Sequence, residues 1–154
     1  MKRLRLIILF FCAISCTKEK LGHTETFIEN KTSHLIRLLP YYGAILDLNY
    51  SKTIPPLSKI QAYTANVRGK TIDPCFGTLL QPYDSVLVTY DDTVKISHIK
   101  FNSSYNGTHV VNFRNNRSIS NASSYTKEIT NETNYSLEGK FTYIFTEQDY
   151  LNAK

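Results

Sequence analysis

The chain has 154 residues, with 18 Lys plus Arg against 13 Asp plus Glu and a formal charge of +5. Three of the basic residues, Lys2, Arg3 and Arg5, fall within the first five positions. Without them the balance is 15 to 13, too even for the clustered basic face that nucleic-acid binding needs, and no nucleic-acid partner is expected.

The first sixteen residues, MKRLRLIILFFCAISC, form the first predicted element. A basic n-region precedes an apolar run from Leu6 to Ile14, and the small residues Ala13 and Ser15 sit three and one positions before Cys16. This is the pattern of a cleaved export signal. Nine apolar residues in a helix span roughly 14 Å, about half a bilayer core, so a permanent membrane span is not expected. Ala13-Ile14-Ser15-Cys16 resembles the lipobox of bacterial lipoproteins, with Ala13 where leucine is usual. The resemblance implies lipidation of Cys16 and attachment to a membrane through that lipid. Residues 1–15 are then the signal, 16–25 a polar tether and 26–154 one domain.

From Thr26 onward the pattern is strand-like. His34 to Leu39 is an apolar run closed by Pro40, and Ile45 to Tyr50 is a short alternation. Pro55-Pro56 is a stop, because neither residue donates a ladder hydrogen bond. In Ser58 to Thr64, Ile60 and Ala62 share one face, with Lys59, Gln61 and Tyr63 on the other. Ser85 to Phe101, SVLVTYDDTVKISHIKF, reads as a hairpin turned by Asp91-Asp92, since Asp tolerates unusual backbone angles and bonds its own main chain. The phase slip at His98-Ile99 predicts a bulge.

Residues 102–136 contain 19 Asn, Ser and Thr among 35 positions. They read either as one long loop or as a pair of weak edge strands, with Val110 to Phe113 the best strand candidate. The last strand is Lys140 to Phe145, with Phe141, Tyr143 and Phe145 on one face. Thr146 then caps a short helical turn, with Asp149 three residues on in a variant of the capping box. Short strands with frequent turns predict an all-β fold, a single β-sandwich of immunoglobulin-like or Greek-key type with a short C-terminal helical turn.

Few residues suggest chemistry. His23, His34, His98 and His109 lie at no metal-ligand spacing, one acidic pair is too little for calcium, and no phosphate loop or nucleophile elbow is present. No metal, no cofactor and no catalytic residue is expected. An enzyme would need distant residues such as His98, His109 and Asp91 gathered around a pocket. Cys75 reads as a small buried hydrophobe, and His23 lies in the tether. Eight Asn-x-Ser/Thr sequons begin at Asn30, Asn49, Asn102, Asn106, Asn116, Asn121, Asn131 and Asn134. An Asn- and Ser-rich composition accounts for them. Among eleven Tyr and eight Phe, Tyr41 and Tyr42 before Gly43 are candidates for an exposed binding loop.

The stretches NKTSH at 30–34, DSVLVTYDD at 84–92, RNNRSISNASSY at 114–125 and YIFTEQDYLNA at 143–153 resemble a group of small uncharacterised lipoproteins of the Bacteroidetes. The resemblance spans most of the mature chain and rests on turns and strand starts. It implies lineage and a cell-envelope, outer-membrane location facing the periplasm or the surface, and it implies no catalytic residue. Asp84-Ser85-Val86 and Asp92-Thr93-Val94 resemble the short O-glycosylation motif of exported proteins of that phylum, with Ser85 and Thr93 as acceptors. The expectation is a lipid-anchored, non-enzymatic binding or structural module with an envelope protein or glycan as partner. The alternative is an exported inhibitor of a hydrolase, lysozyme or protease.

Overall fold

The computed structural model describes residues 19–75, 83–100 and 109–154. The fold is all-β, and the described residues form two sheets and one short helix. The strands are β1 (Leu21–Asn30), β2 (Ile36–Tyr42), β3 (Ile45–Leu46), β4 (Lys52–Ile54), β5 (Ser58–Arg68), β6 (Ser85–Tyr90), β7 (Val94–Ile99), β8 (Val110–Asn112), β9 (Thr126–Glu132) and β10 (Ser136–Phe145), followed by helix α1 (Glu147–Ala153). One sheet runs β5-β1-β10-β9. The other runs β3-β2-β6-β7-β8, with β4 also on β2.

The first and last strands are neighbours. β1 pairs in parallel with β10 over ten consecutive residues, Leu21↔Ser136 to Asn30↔Phe145. Every second residue of both strands is buried, as period-two alternation on a half-buried sheet requires. Leu137, Phe141, Tyr143 and Phe145 of β10 meet Ile36, Leu38, Val86, Val88 and Tyr90 of the second sheet in one core cluster. Full burial of a side chain of this size contributes about 1.5–3 kcal/mol. Leu21 to Glu25 belong to β1, so the expected tether is shorter by those five residues. His23 sits in this strand with Nδ1 2.8 Å from Asn66 Oδ1.

A bulge does occur, but not at His98-Ile99. β6 and β7 pair without interruption from Ser85↔Ile99 to Tyr90↔Val94. The apparent phase slip arises because Ser97, His98 and Ile99 are all buried, on both faces of an interior strand. One bulge is at Ala62, which falls between the partners of Thr26 (Tyr63) and Phe27 (Gln61), and another at Thr130, between the partners of Glu138 and Gly139. The first shapes the core. It swings Tyr63 off the Lys59/Gln61 face and into the core, where its hydroxyl donates to the Tyr50 carbonyl at 2.6 Å. Burial pushes that phenol well above its ordinary range.

Pro40 does not end its strand; β2 continues to Tyr42. The Pro40 carbonyl accepts from the Asp47 N–H at 3.0 Å. The ring nitrogen faces the same side, where the neighbour of β2 changes from β4 to β3, and no ladder bond is lost. The Ile45 to Tyr50 alternation is a two-residue strand followed by a 3-10 turn at Leu48–Tyr50, capped by the Asp47 carboxylate. Asp91 and Asp92 form the β6–β7 turn at φ 50° and 59°. In the Asn- and Ser-rich region, β8 and β9 are short edge strands, one on each sheet. Asp149 accepts from the Thr146 backbone N–H at 2.8 Å, the expected cap of α1.

Candidate functional site

The register of the second sheet sorts its residues onto two faces. Leu38, Val88 and Ile96 align in one row, Pro40, Val86 and His98 in the next, and both rows are buried against the first sheet. The opposite face carries Tyr41, Ser85 and Ile99 in one row and Leu39, Leu87 and Ser97 in another. Over this face lies a groove of about 470 Å³ lined by Tyr41, Gly43, Ala44, Asp84, Ser85, Leu87, Ser97 and Ile99. Leu87 and Ile99 are its aliphatic residues, Ser97 lies beside Leu87, and Asp84 and Ser85 lie at the Tyr41 end. There Asp84 accepts from the Gly43 N–H at 2.9 Å and fixes the turn after β2.

Tyr41 and Tyr42 are not in a loop. They are the last two residues of β2 and enter a tight hairpin in which Tyr42 faces Ile45 across the Gly43-Ala44 turn. Gly43 has φ 56°, a conformation that favours glycine. Alternation sends the two rings to opposite sides: Tyr41 lines the groove, while Tyr42 is 58% exposed. Beside it, Ile45 is 71% and Leu48 73% exposed. Three large apolar side chains at one corner, next to a groove, form the kind of surface that soluble domains ordinarily bury in a contact. Tyr83 stands behind the corner with its hydroxyl 2.5 Å from Asp47 Oδ2. Burial, then that carboxylate, pushes its pKa up to about 12.

The other expected residues are scattered. Ser85 opens β6 inside the groove, its hydroxyl weakly held by Asp84 at 3.4 Å. A sugar on Ser85 would therefore compete with any occupant of the groove. Thr93 is exposed in the β6–β7 turn, with its N–H donating to the Tyr90 carbonyl at 3.0 Å. Cys16, Asn102 and Asn106 lie outside the described residues. Cys75 is 2% exposed, its thiol pushed up by burial.

Asn30 is 1% exposed. Its Nδ2 donates to the carbonyls of His34, Ile54 and Pro55, and its Oδ1 accepts from the N–H and hydroxyl of Thr32. This sequon is a structural plug that a glycan could not reach without unfolding the corner.

His98, His109 and Asp91 do not come together. Asp91 holds the other end of β6: its carboxylate accepts from the Leu35 N–H at 2.8 Å and lies 2.6 Å from His34 Nδ1, which keeps its pKa below the usual carboxylate range. The His34 ring stacks on Tyr150 of α1 at 3.7 Å. His98 and His109 instead share a second, polar cavity of about 260 Å³ with Tyr90, Asn115, Arg117, Asp149 and Asn152. Arg117 reaches it from the turn after β8 and binds Asp149 through two nitrogens. The sequence marks Asp149 as a helix cap but does not signal that Arg117 lies beside it.

Among the described residues, no three of His, Cys, Asp and Glu gather to hold a metal ion, and no helix is long and apolar enough to cross a membrane. Comparison with protein-family models, curated proteins and solved structures finds no match.

Proposed function

We propose that this chain is a lipid-anchored cell-envelope protein, held through Cys16 and folded as a single immunoglobulin-like sandwich. It works as a non-enzymatic binding module whose β2–β3 corner docks an envelope protein. The observation that carries the docking is the exposed apolar triplet Tyr42, Ile45 and Leu48 beside the groove under Tyr41. The signal ending at Cys16 supports the anchorage, and the parallel β1–β10 pair over one shared core supports the sandwich.

Anchorage is tested by the intact mass of the mature protein and of a Cys16→Ala variant from membranes of its host. A mass of residues 16–154 plus acyl chains is expected, with the variant released or unprocessed; a lipid-free mass would refute it. Docking is tested by crosslinking on intact envelopes with wild type and with Tyr42→Ser/Ile45→Ser. These side chains are exposed, so the double variant should keep its unfolding midpoint. Loss of one specific crosslinked protein in that variant is the expected result. An unchanged crosslink pattern, or a purified envelope glycan that binds wild type and double variant alike, would reject the corner as a protein-docking site.

A further inference from the structure

The polar cavity between β6, β7 and α1 plays no part in that docking surface, and its hydrogen bonds have an uneven balance. The carboxylate and amide oxygens of its wall are already engaged. Asp149 receives both Arg117 nitrogens and, at Oδ2, the N–H and hydroxyl of Thr146. Asn115 Oδ1 accepts from the Arg117 N–H at 2.8 Å, and Asn152 Oδ1 from Gln148 at 2.9 Å.

The donors are not. His98 is 4% exposed, and its Nδ1 accepts from the Ile119 N–H at 3.1 Å. That bond fixes the neutral tautomer, so Nε2 carries the proton. The Tyr90 hydroxyl is fully buried and finds no acceptor among the described residues. The Nδ2 groups of Asn115 and Asn152 add further donors. Arg117 Nε and Nη2 are spent on Asp149 and the Ile144 carbonyl. Arg117 and Asp149, the charged pair on this wall, bind each other.

We infer that this cavity is a binding site for a small monocarboxylate, seated on His98 Nε2–H, the Tyr90 hydroxyl and the free amides of Asn115 and Asn152. A carboxylate is acceptor-only, with two oxygens offering about four lone-pair positions. That matches a wall of unspent donors. A sugar or an alcohol brings hydroxyl hydrogens that meet spent acceptors, and buried donors left unmatched are costly.

The test is an NMR titration of the full-length protein with sodium acetate at constant ionic strength, following the His98 ring nitrogens. Acetamide, of the same shape but with an NH₂ in place of one oxygen, is the comparison. Saturable acetate binding that moves the His98 Nε2 resonance is expected, with acetamide at least tenfold weaker. Tyr90→Phe should weaken acetate at least tenfold while leaving the unfolding midpoint unchanged, because the hydroxyl has no protein partner to lose. A linear, unsaturating response would overturn the proposal. So would equal binding of acetamide, or unaltered affinity in Tyr90→Phe. A Tyr90→Phe variant that is destabilised and shows no acetate effect would assign the hydroxyl to the fold instead and overturn it equally.

Discussion

Replacing Asn30 by Ala should cost more stability than its size suggests. The side chain ends β1 and ties it to the 32–36 turn and to the end of β4 at Ile54–Pro55. Truncation removes Nδ2 from three carbonyls and Oδ1 from two Thr32 donors. A net hydrogen bond contributes about 1 kcal/mol, and a buried group left unpaired costs about 1–3. The Thr32 hydroxyl has a second acceptor in the His34 carbonyl at 3.3 Å, so one loss is recoverable. The expected change is about 3–4 kcal/mol, a large share of the roughly 5–15 kcal/mol that hold a domain folded. Urea unfolding followed by far-UV circular dichroism measures it as a lowered midpoint at unchanged slope. Asn30→Asp sharpens the test. Its carboxylate keeps the Thr32 contacts but faces three carbonyls, so it should be less stable at pH 7 than at pH 4, where a protonated carboxyl again donates. A loss below about 1 kcal/mol for Asn30→Ala, or an Asn30→Asp deficit that does not grow with pH, would refute the assignment of this residue as the plug of the corner.

Other perturbations test other parts of the fold. His98 is held neutral by burial, its pKa lowered to about 4 from 6.5. The unfolded chain therefore takes up a proton that the folded one refuses, and stability should fall by about 3 kcal/mol as pH drops from 6.5 to 4. A His98→Asn variant, which keeps an acceptor for Ile119, should lose that slope. A slope equal to wild type in this variant would place the titration elsewhere. Gly139→Ala would put a Cβ 2.5 Å from Ile72 Cδ1 and 3.0 Å from the Glu128 carbonyl oxygen, and should cost about 1–3 kcal/mol. Combining it with Ile72→Val should recover part of that loss, and strict additivity in the double variant would deny the contact. Leu57 is 78% exposed at φ 51°; Leu57→Gly should gain about 0.5 kcal/mol by relieving the left-handed backbone, and a lowered thermal midpoint would count against it.

The strands were legible where one face is buried and the other wet. Val86, Val88 and Tyr90, or Phe141, Tyr143 and Phe145, announce their inward side by spacing alone. Local reading failed where tertiary contacts decide. Nothing near Ala62 signals that β1 pairs with Tyr63 and Gln61 and skips the residue between. Lys20 to Glu25 looks like a polar tether because the residues that β1 buries there are Gly22, against Val67 and Ile72, and Thr24, and small residues carry little hydrophobic signal. Pro40 looked like a stop because its neighbours across β2 were not visible in the chain. Of the sites, Tyr41 and Tyr42 were found by residue type, and the structure divides them between a groove and a surface. The polar cavity escaped local reading because Arg117 and Asp149 are 32 positions apart and Asp91, the carboxylate considered beside His98 and His109, is committed to His34.

The parallel seam between β1 and β10 sets an order of events. Leu21 emerges from synthesis among the first residues, yet one of its two neighbours in the sheet, Ser136, is made more than a hundred residues later. Contacts of such separation form slowly. Until the last strand arrives, β1 has only β5 beside it, and a chain of about 135 residues holds half of its first sheet open. Completion of that sheet would be timed by synthesis of β10, after every strand of the second sheet has been made.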